Sequence, residues 1–252
     1  MRQGAPPGQP LGGWALLHNI WCAGLFVATF LLIAPVAMLS ATRPGWHRGA
    51  FWAYHLWGIL FFRLAGIRVR VEHRAALPRR PCIFCPNHAS YIDIPMLVYG
   101  LRHYFVFVGK SSLAKVPLFG YVFRRVHIPV DRDSLRSRYA VMKKSLEALK
   151  RGKSIVIFPE GGFSDQPPQL APFKEGAFRL AIEAQVPIVP VTLPHNWLLL
   201  PDRQPLRLHN RPAKAIFHPP IYTEGLTVAD VPALQRQVEA LIGHELRQHG
   251  LG

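Results

Sequence analysis

The sequence predicts an α/β fold: a mixed, mostly parallel β-sheet covered by helices, with a pair of apolar helices ahead of it. Three observations predict it. β-rich runs alternate with helix-period stretches from residue 67 onward, residues 1–66 are apolar and free of acids, and 252 residues suit one substantial α/β domain with a short appendage. Half of the residues are apolar and 17% are charged, which excludes a disordered or fibrous chain.

The amino-terminal unit, 1–66, comes first. No Asp or Glu precedes Glu72, whereas arginine stands at 2, 43, 48, 63, 68 and 70. Within an uncharged stretch, residues 14–39 would form a helix about 39 Å long, against a hydrocarbon core of about 30 Å. Gly24 and Pro35 weaken such a helix in water and are tolerated in lipid. A second apolar stretch, 51–66, carries Trp52, Tyr54, Trp57, Phe61 and Phe62 and runs into Arg63, Arg68 and Arg70. Aromatic rings beside arginines suit the headgroup region. The pair therefore reads as a membrane-docking motif. A cleaved signal peptide fits worse, because Arg2 is the lone early cation, the apolar core is too long and no small-x-small site follows. One spanning helix and a two-helix wedge in one leaflet fit equally. If the first helix spans, Arg43 and Arg48 outweigh Arg2 and place the body at the cytoplasmic face of a cell inner membrane or its equivalent.

The remainder, 67–252, supplies the sheet. Strands are expected at 67–71, 82–85, 104–108, 126–130, 155–158, 188–192 and 215–217. Leu135, Tyr139, Met142, Leu146 and Leu149 recur at helical steps, and Gly152 stops that helix. A second helix is expected over 173–184. The last starts at Asp230, read as its cap, with Pro232 in the first turn and Leu234, Val238, Leu241 and Leu246 on one face. Helices between strands imply crossover connections. The proline-rich stretches 166–172 and 194–212 read as surface loops.

Charge and cysteine content narrow the partners. Thirty Lys+Arg against 14 Asp+Glu give +16, a surface that attracts phosphates or an anionic phospholipid membrane. A nucleic-acid-binding module would rarely devote about seventy residues to acid-free apolar sequence, so no nucleic acid is expected. Three cysteines form no paired set, as in a reduced, cytosol-facing body.

Several motifs fail on inspection. Gly109-Lys110-Ser111 and Gly152-Lys153-Ser154 resemble P-loop tails, but the glycine required five residues earlier is Tyr104 and Glu147, respectively. No Gly-x-Ser-x-Gly elbow occurs. Cys82 and Cys85 would face opposite sides of a strand and lack a second ligand pair, so no metal is expected.

Two segments carry chemistry. Asn87-His88-Ala89-Ser90-Tyr91-Ile92-Asp93 follows a short strand and Pro86 and precedes Ile94-Pro95, where proline suits a first helical turn. On one straight helix His88 and Asp93 would diverge, whereas on a turn leading into a helix they can meet. A carboxylate then fixes the imidazole tautomer, and the other ring nitrogen can take a hydroxyl proton. Phe158-Pro159-Glu160-Gly161-Gly162-Phe163-Ser164 is again a strand ending in a turn. Glu160 and the amides of Gly161 and Gly162 would face the same sheet edge, where ligands of open α/β sheets collect; an ordinary glycine turn, with Glu160 bonding its amides, is the plainer alternative.

These residues resemble the 1-acylglycerol-3-phosphate acyltransferase family of glycerolipid acyltransferases. Four blocks occur in the family's order: His88 to Asp93; Gly109-Lys110-Ser111 with Leu113, Pro117, Gly120 and the run from Ile128 to Asp131-Arg132; Phe158-Pro159-Glu160-Gly161; and Val186-Pro187-Ile188-Val189-Pro190-Val191. The resemblance implies a glycerolipid acyltransferase domain over 67–252. It implies transfer of a fatty acyl group from acyl-CoA or acyl carrier protein, without any cofactor, to the hydroxyl of a lysophospholipid acceptor, 1-acylglycerol-3-phosphate. By resemblance His88 is the general base and Asp93 its partner, with no covalent acyl-enzyme. Lys110 and Arg132 would pair with the acceptor phosphate, while Glu160, Gly161 and Gly162 contact substrate. One departure matters: where the family continues Glu-Gly-Thr-Arg-Ser, this chain has Glu160-Gly161-Gly162-Phe163-Ser164, so the arginine is absent. Either another cation, such as Lys174 or Arg124, stands in for it, or the acceptor carries a different headgroup.

Overall fold

The structure is a computed structural model describing residues 13–131, 134–201, 208, 209 and 211–249. Its centre is a seven-stranded sheet: β1 (Val69–His73), β2 (Ile83–Pro86), β3 (Phe105–Lys110), β4 (Ile128–Val130), β5 (Ser154–Val156), β6 (Ile188–Thr192) and β7 (Ala213–Phe217). The order is β1-β7-β6-β2-β5-β3-β4. Every pairing is parallel except β6 with β7, so the sheet is mixed and mostly parallel, as expected. All four residues of β2 and all five of β6 are buried, because both sheet faces are covered.

Alternation along the strands builds two cores. Phe84, Val156, Val189 and Val191 point to one side, against α1 (Gly13–Ser40), α2 (His47–Leu64), α3 (Asp93–Gly100) and α4 (Phe119–Val126). Ile83, Cys85, Ile155 and Ile188 point to the other, against α5 (Leu135–Lys150), α6 (Gly176–Ala184) and α8 (Val231–Gln248). A one-turn α7 (Asn196–Leu199) follows β6. Cys82 and Cys85 fall in opposite cores, as their odd spacing requires.

Local details refine the sequence expectations. Gly152, at φ 78°, ends α5 in the left-handed conformation that only glycine adopts cheaply. The helix expected over 173–184 begins at Gly176, because the Lys174 amide is already bonded to the Pro159 carbonyl. Asp230 precedes α8 without capping it. Its carboxylate instead accepts from the amide and hydroxyl of Thr227, closing a capping box around the 3-10 turn Val228–Asp230. Val126 ends α4 rather than opening a strand.

The amino-terminal pair is an antiparallel hairpin laid against the body. The Phe26 ring packs edge-on against Trp57 and Phe61, and Phe30 meets both Trp57 and Phe119 of α4. One stripe of α1, from Cys22 through Ile33 and Ala37 to Ala41 just beyond it, is buried in the same core as α2 and the sheet. The opposite face exposes Trp14, Leu17, Ile20, Trp21, Val27, Leu31, Leu32, Val36 and Leu39. The segment Leu16–Ser40 is long and apolar enough to cross a membrane.

Cys82 and Cys85 are fully buried, and burial pushes the Cys82 thiol up to about 12 and the Cys85 thiol higher still. Both should therefore resist iodoacetamide in the native protein and react once denaturant unfolds it. Mass spectrometry of labelled peptides checks this; rapid labelling under native conditions would contradict the packing described.

Candidate active site

The site grows from the carboxyl edge of the parallel strands. In the shared register Phe84 of β2 and Phe107 of β3 both sit beside Val156 of β5. Continuing each strand by three or four residues brings His88, Lys110 and Glu160 to one level of the sheet. Here β2 and β3 lie about 10 Å apart across β5. Asn87 anchors the exit of β2: its side chain accepts from the Leu193 amide at 2.7 Å and donates to the Leu193 carbonyl at 3.3 Å.

Asp93 is the first residue of α3, where the helix dipole favours a negative charge. It is 1% exposed and fully engaged. Its Oδ2 accepts from His88 Nδ1, the Ala89 amide and the Ser90 amide, each at 2.9 Å, and its Oδ1 accepts from Asn196 Nδ2 at 2.8 Å. Every neighbour must donate to an ionised carboxylate, so Nδ1 carries the imidazole proton and Nε2 keeps its lone pair. The Nε2 atom has no hydrogen-bond partner among the described residues, and the His88 side chain is 11% exposed. Phe158 stacks on the ring at 3.8 Å between centroids, and Phe163 meets it edge-on at 4.3 Å. The residue occupying the missing arginine's place is thus a wall of the histidine pocket.

Glu160 sits beneath this pair. Its Oε1 accepts from the His88 amide at 2.6 Å and its Oε2 from the Ala171 amide at 2.8 Å. Both oxygens are therefore engaged by backbone, and the side chain sets the height of His88 from below. Burial raises its pKa to about 7, with the charges of Asp93 and Glu239 adding to the rise, while the two amide bonds oppose it.

Gly161 has φ 73°, and a Cβ there would lie 2.8 Å from the Lys174 ammonium. The backbone conformation requires glycine, and the flexible lysine laid across it would have to move aside for any side chain. Lys174 has no ion-pair partner among the described residues. Gly162 continues the turn. Lys110 ends β3, exposed and without an ion pair among the described residues; its side chain shares a sheet face with Val108. Arg124 instead donates to the Ala114 carbonyl. Arg132 lies outside the described residues. Asn196, Phe158 and Phe163 complete the constellation and were not singled out as site residues by sequence. The usable signal for Asn196 was a buried-type polar residue just past an apolar strand at the ligand-collecting edge.

An apolar groove of 440 Å³ opens beside Tyr91 and Ile92, between α1 and the residues Leu200 and Leu208, and is lined by Cys22, Phe26 and Phe61. Tyr91 packs edge-on against Phe163, which links the groove to the His88 ring.

Comparisons with known proteins bear on the family and the fold. The family model described as Acyltransferase matches residues 68–194. A 1-acyl-sn-glycerol-3-phosphate acyltransferase alpha of Mus musculus is 31% identical over 204 residues, covering 75% of this chain and 68% of that protein. The chain belongs to the 1-acylglycerol-3-phosphate acyltransferase family. A chloroplastic relative of the same description from Brassica napus is 34% identical over 143 residues, covering 56% of this chain and 41% of that one. The chain thus spans less than half the length of that and other curated relatives. The fold of this family member matches the crystal structure of the 1-acyl-sn-glycerophosphate acyltransferase PlsC from Thermotoga maritima. The TM-score is 0.77 at 21% identity, covering 93% of this chain and 95% of that one.

A raised carboxyl pKa means that the folded state holds the Glu160 proton more tightly than the unfolded chain does. Its stabilising contribution is complete below the unfolded value near 4.5 and is lost as pH climbs to about 7. Wild type should therefore lose stability relative to Glu160→Gln across that window, in denaturant titrations at fixed ionic strength. A constant difference between the two proteins would contradict a buried, ionisable Glu160.

Proposed function

We propose that this protein is a membrane-bound O-acyltransferase that moves a fatty acyl group from acyl-CoA or acyl carrier protein to the free hydroxyl of 1-acylglycerol-3-phosphate, giving phosphatidic acid in phospholipid biosynthesis. One observation carries the reading: His88 is held by a fully engaged Asp93, with Nε2 unpartnered beside an apolar groove. His88 Nε2 takes the acceptor's hydroxyl proton as the oxygen attacks the thioester carbonyl. The tetrahedral oxyanion collapses, the C–S bond breaks, and the imidazolium returns its proton to the leaving thiolate. Asp93 keeps the tautomer and stabilises the transient imidazolium. The Gly162 and Phe163 amides donate to no acceptor among the described residues and are the natural donors to the oxyanion. Glu160 acts as a positioning residue through the His88 backbone.

The acceptor phosphate is assigned to Lys110 and Lys174, with Arg132 in the same block. Lys174 lies against Gly161, two residues before the position where the family pattern has arginine, which supports substitution in space over a change of headgroup. The groove beside Tyr91 takes an acyl chain. Membrane attachment follows from α1 and α2. A buried stripe runs the length of α1 against α2 and the body, so the hairpin lies along one leaflet with its exposed face in lipid instead of crossing it. We place the body on the cytoplasmic side, in keeping with three cysteines that are all free.

His88→Ala should lower acyl transfer by roughly a thousandfold or more while leaving circular dichroism and vesicle binding unchanged. Turnover at the wild-type rate would remove the enzymatic reading. Lys174→Gln should raise KM for a phosphate-bearing lysolipid by roughly tenfold, with kcat little changed. A panel of lysolipids offered with a labelled acyl thioester tests the acceptor. Preference for a phosphate-free lysolipid would replace lysophosphatidate by another headgroup and leave the chemistry standing.

A further inference from the structure

A second charged cleft lies at the far end of the molecule, at the amino-terminal edge of β2, β3 and β5. It occupies 290 Å³, and Arg48 of α2, Arg79 and Arg80 before β2, and Arg102 before β3 converge on it, with Trp52 and Tyr104 as its aromatic walls. Lys153, just before β5, adds a fifth cation, its ammonium 6.0 Å from the Tyr104 ring centroid; the Arg48 guanidinium is 5.8 Å from the same centroid. Among these five, only Arg80 has a carboxylate partner among the described residues, Glu224. The Tyr104 hydroxyl is buried without a hydrogen-bond partner among the described residues. Burial and the neighbouring Arg151 lower the Lys153 pKa, as expected where positive charge is crowded and uncompensated.

Five cations around one small cleft repel one another unless an anion sits among them. Guanidinium groups match phosphate oxygens in pairs, and an aromatic wall beside them suits the boundary between headgroup and acyl region. The cleft also opens in the right direction. Trp52 is 52% exposed and belongs to the outer face of α2 together with the exposed Leu56, so the cleft is continuous with the apolar surface of the helix pair. Because α1 and α2 are antiparallel, the groove beside Tyr91 lies at one end of the hairpin and this cleft at the other.

We propose that this cleft is a binding site for the phosphate headgroup of an anionic phospholipid, separate from the acceptor site, which holds the α1–α2 turn end of the protein on the membrane. The proposal rests on the membrane-docked reading of the helix pair. The shared chemistry is a phosphate, and the commitment is to lipid because the cleft borders the lipid-facing aromatic surface and not open solvent alone.

The test compares wild type with a cleft variant, Arg48→Gln/Arg79→Gln/Arg102→Gln, and with a control of equal charge change, Arg136→Gln/Arg179→Gln/Lys144→Gln. Sedimentation with phosphatidylcholine vesicles, with and without phosphatidylglycerol, measures binding, and circular dichroism checks folding. Wild type should prefer the anionic vesicles. The cleft variant should lose that preference by roughly tenfold more than the control while still binding neutral vesicles through the apolar face. Its acyl transfer in detergent micelles should match wild type. Equal losses in both variants would reduce the cleft to general electrostatic attraction and overturn the site. Cleft-dependent thermal stabilisation by millimolar glycerol 3-phosphate, with vesicle preference untouched, would reassign it to a soluble phosphate and overturn the lipid. Failure of wild type to bind either vesicle would remove the membrane reading and this site with it.

Discussion

The Asp93 carboxylate is the interaction on which the rest depends. A buried charge is costly unless each lone pair finds a donor, and here four donors come from two distant parts of the chain. Two are backbone amides of the loop itself, one is the imidazole, and one is Asn196 just past β6. The loop from β2 to α3 therefore has one shape that satisfies the charge, and the tautomer of His88 follows from it. The start of α3 adds its dipole to the same group. Loop shape, helix start and ring orientation are one electrostatic solution.

Glu160 shows the same device used differently. It is also a carboxylate bound by amides, but it has two donors instead of four and stands close to the Asp93 charge. Burial raises its pKa to about 7, the Asp93 charge adds to the rise, and the two amide bonds oppose it. The two acids beside one imidazole thus differ in the number of donors around each, four for Asp93 and two for Glu160. The sheet makes this possible by bringing the ends of β2 and β5 side by side, at a sequence separation of 72 between His88 and Glu160.

Much of this was legible in the residues. The strands were readable because both sheet faces are covered, so each strand is a short apolar run bounded by turn residues. His88 and Asp93 were readable because they stand five positions apart and Pro95 marks the helix between loop and body. Other features have no local signature. The bond from Glu160 to the His88 amide and that from Asn196 to Asp93 join segments far apart in the chain, and no periodicity encodes them. Helix α4 escaped because it is short, carries two arginines, and is entered through Leu118 at φ 59°, where a glycine would have marked the turn. Asp230 misled because an aspartate before a proline-bearing helix reads as its cap, although a threonine three residues earlier takes its carboxylate. Lys174 entered only as a candidate to replace a missing arginine, and its position across Gly161 required the fold.

The stripe that buries α1 against both α2 and the body has a mechanical consequence. In the proposed membrane-docked orientation the hairpin, packed against the sheet, would act as a keel, so that side-chain packing and not a hinge sets the tilt of the protein on a bilayer. The mouth beside Tyr91 would then meet the leaflet at a constant angle. Greasy reactants would slide in sideways along the lipid plane, searching two dimensions instead of three, and the product would leave by the same route without ever becoming fully wetted.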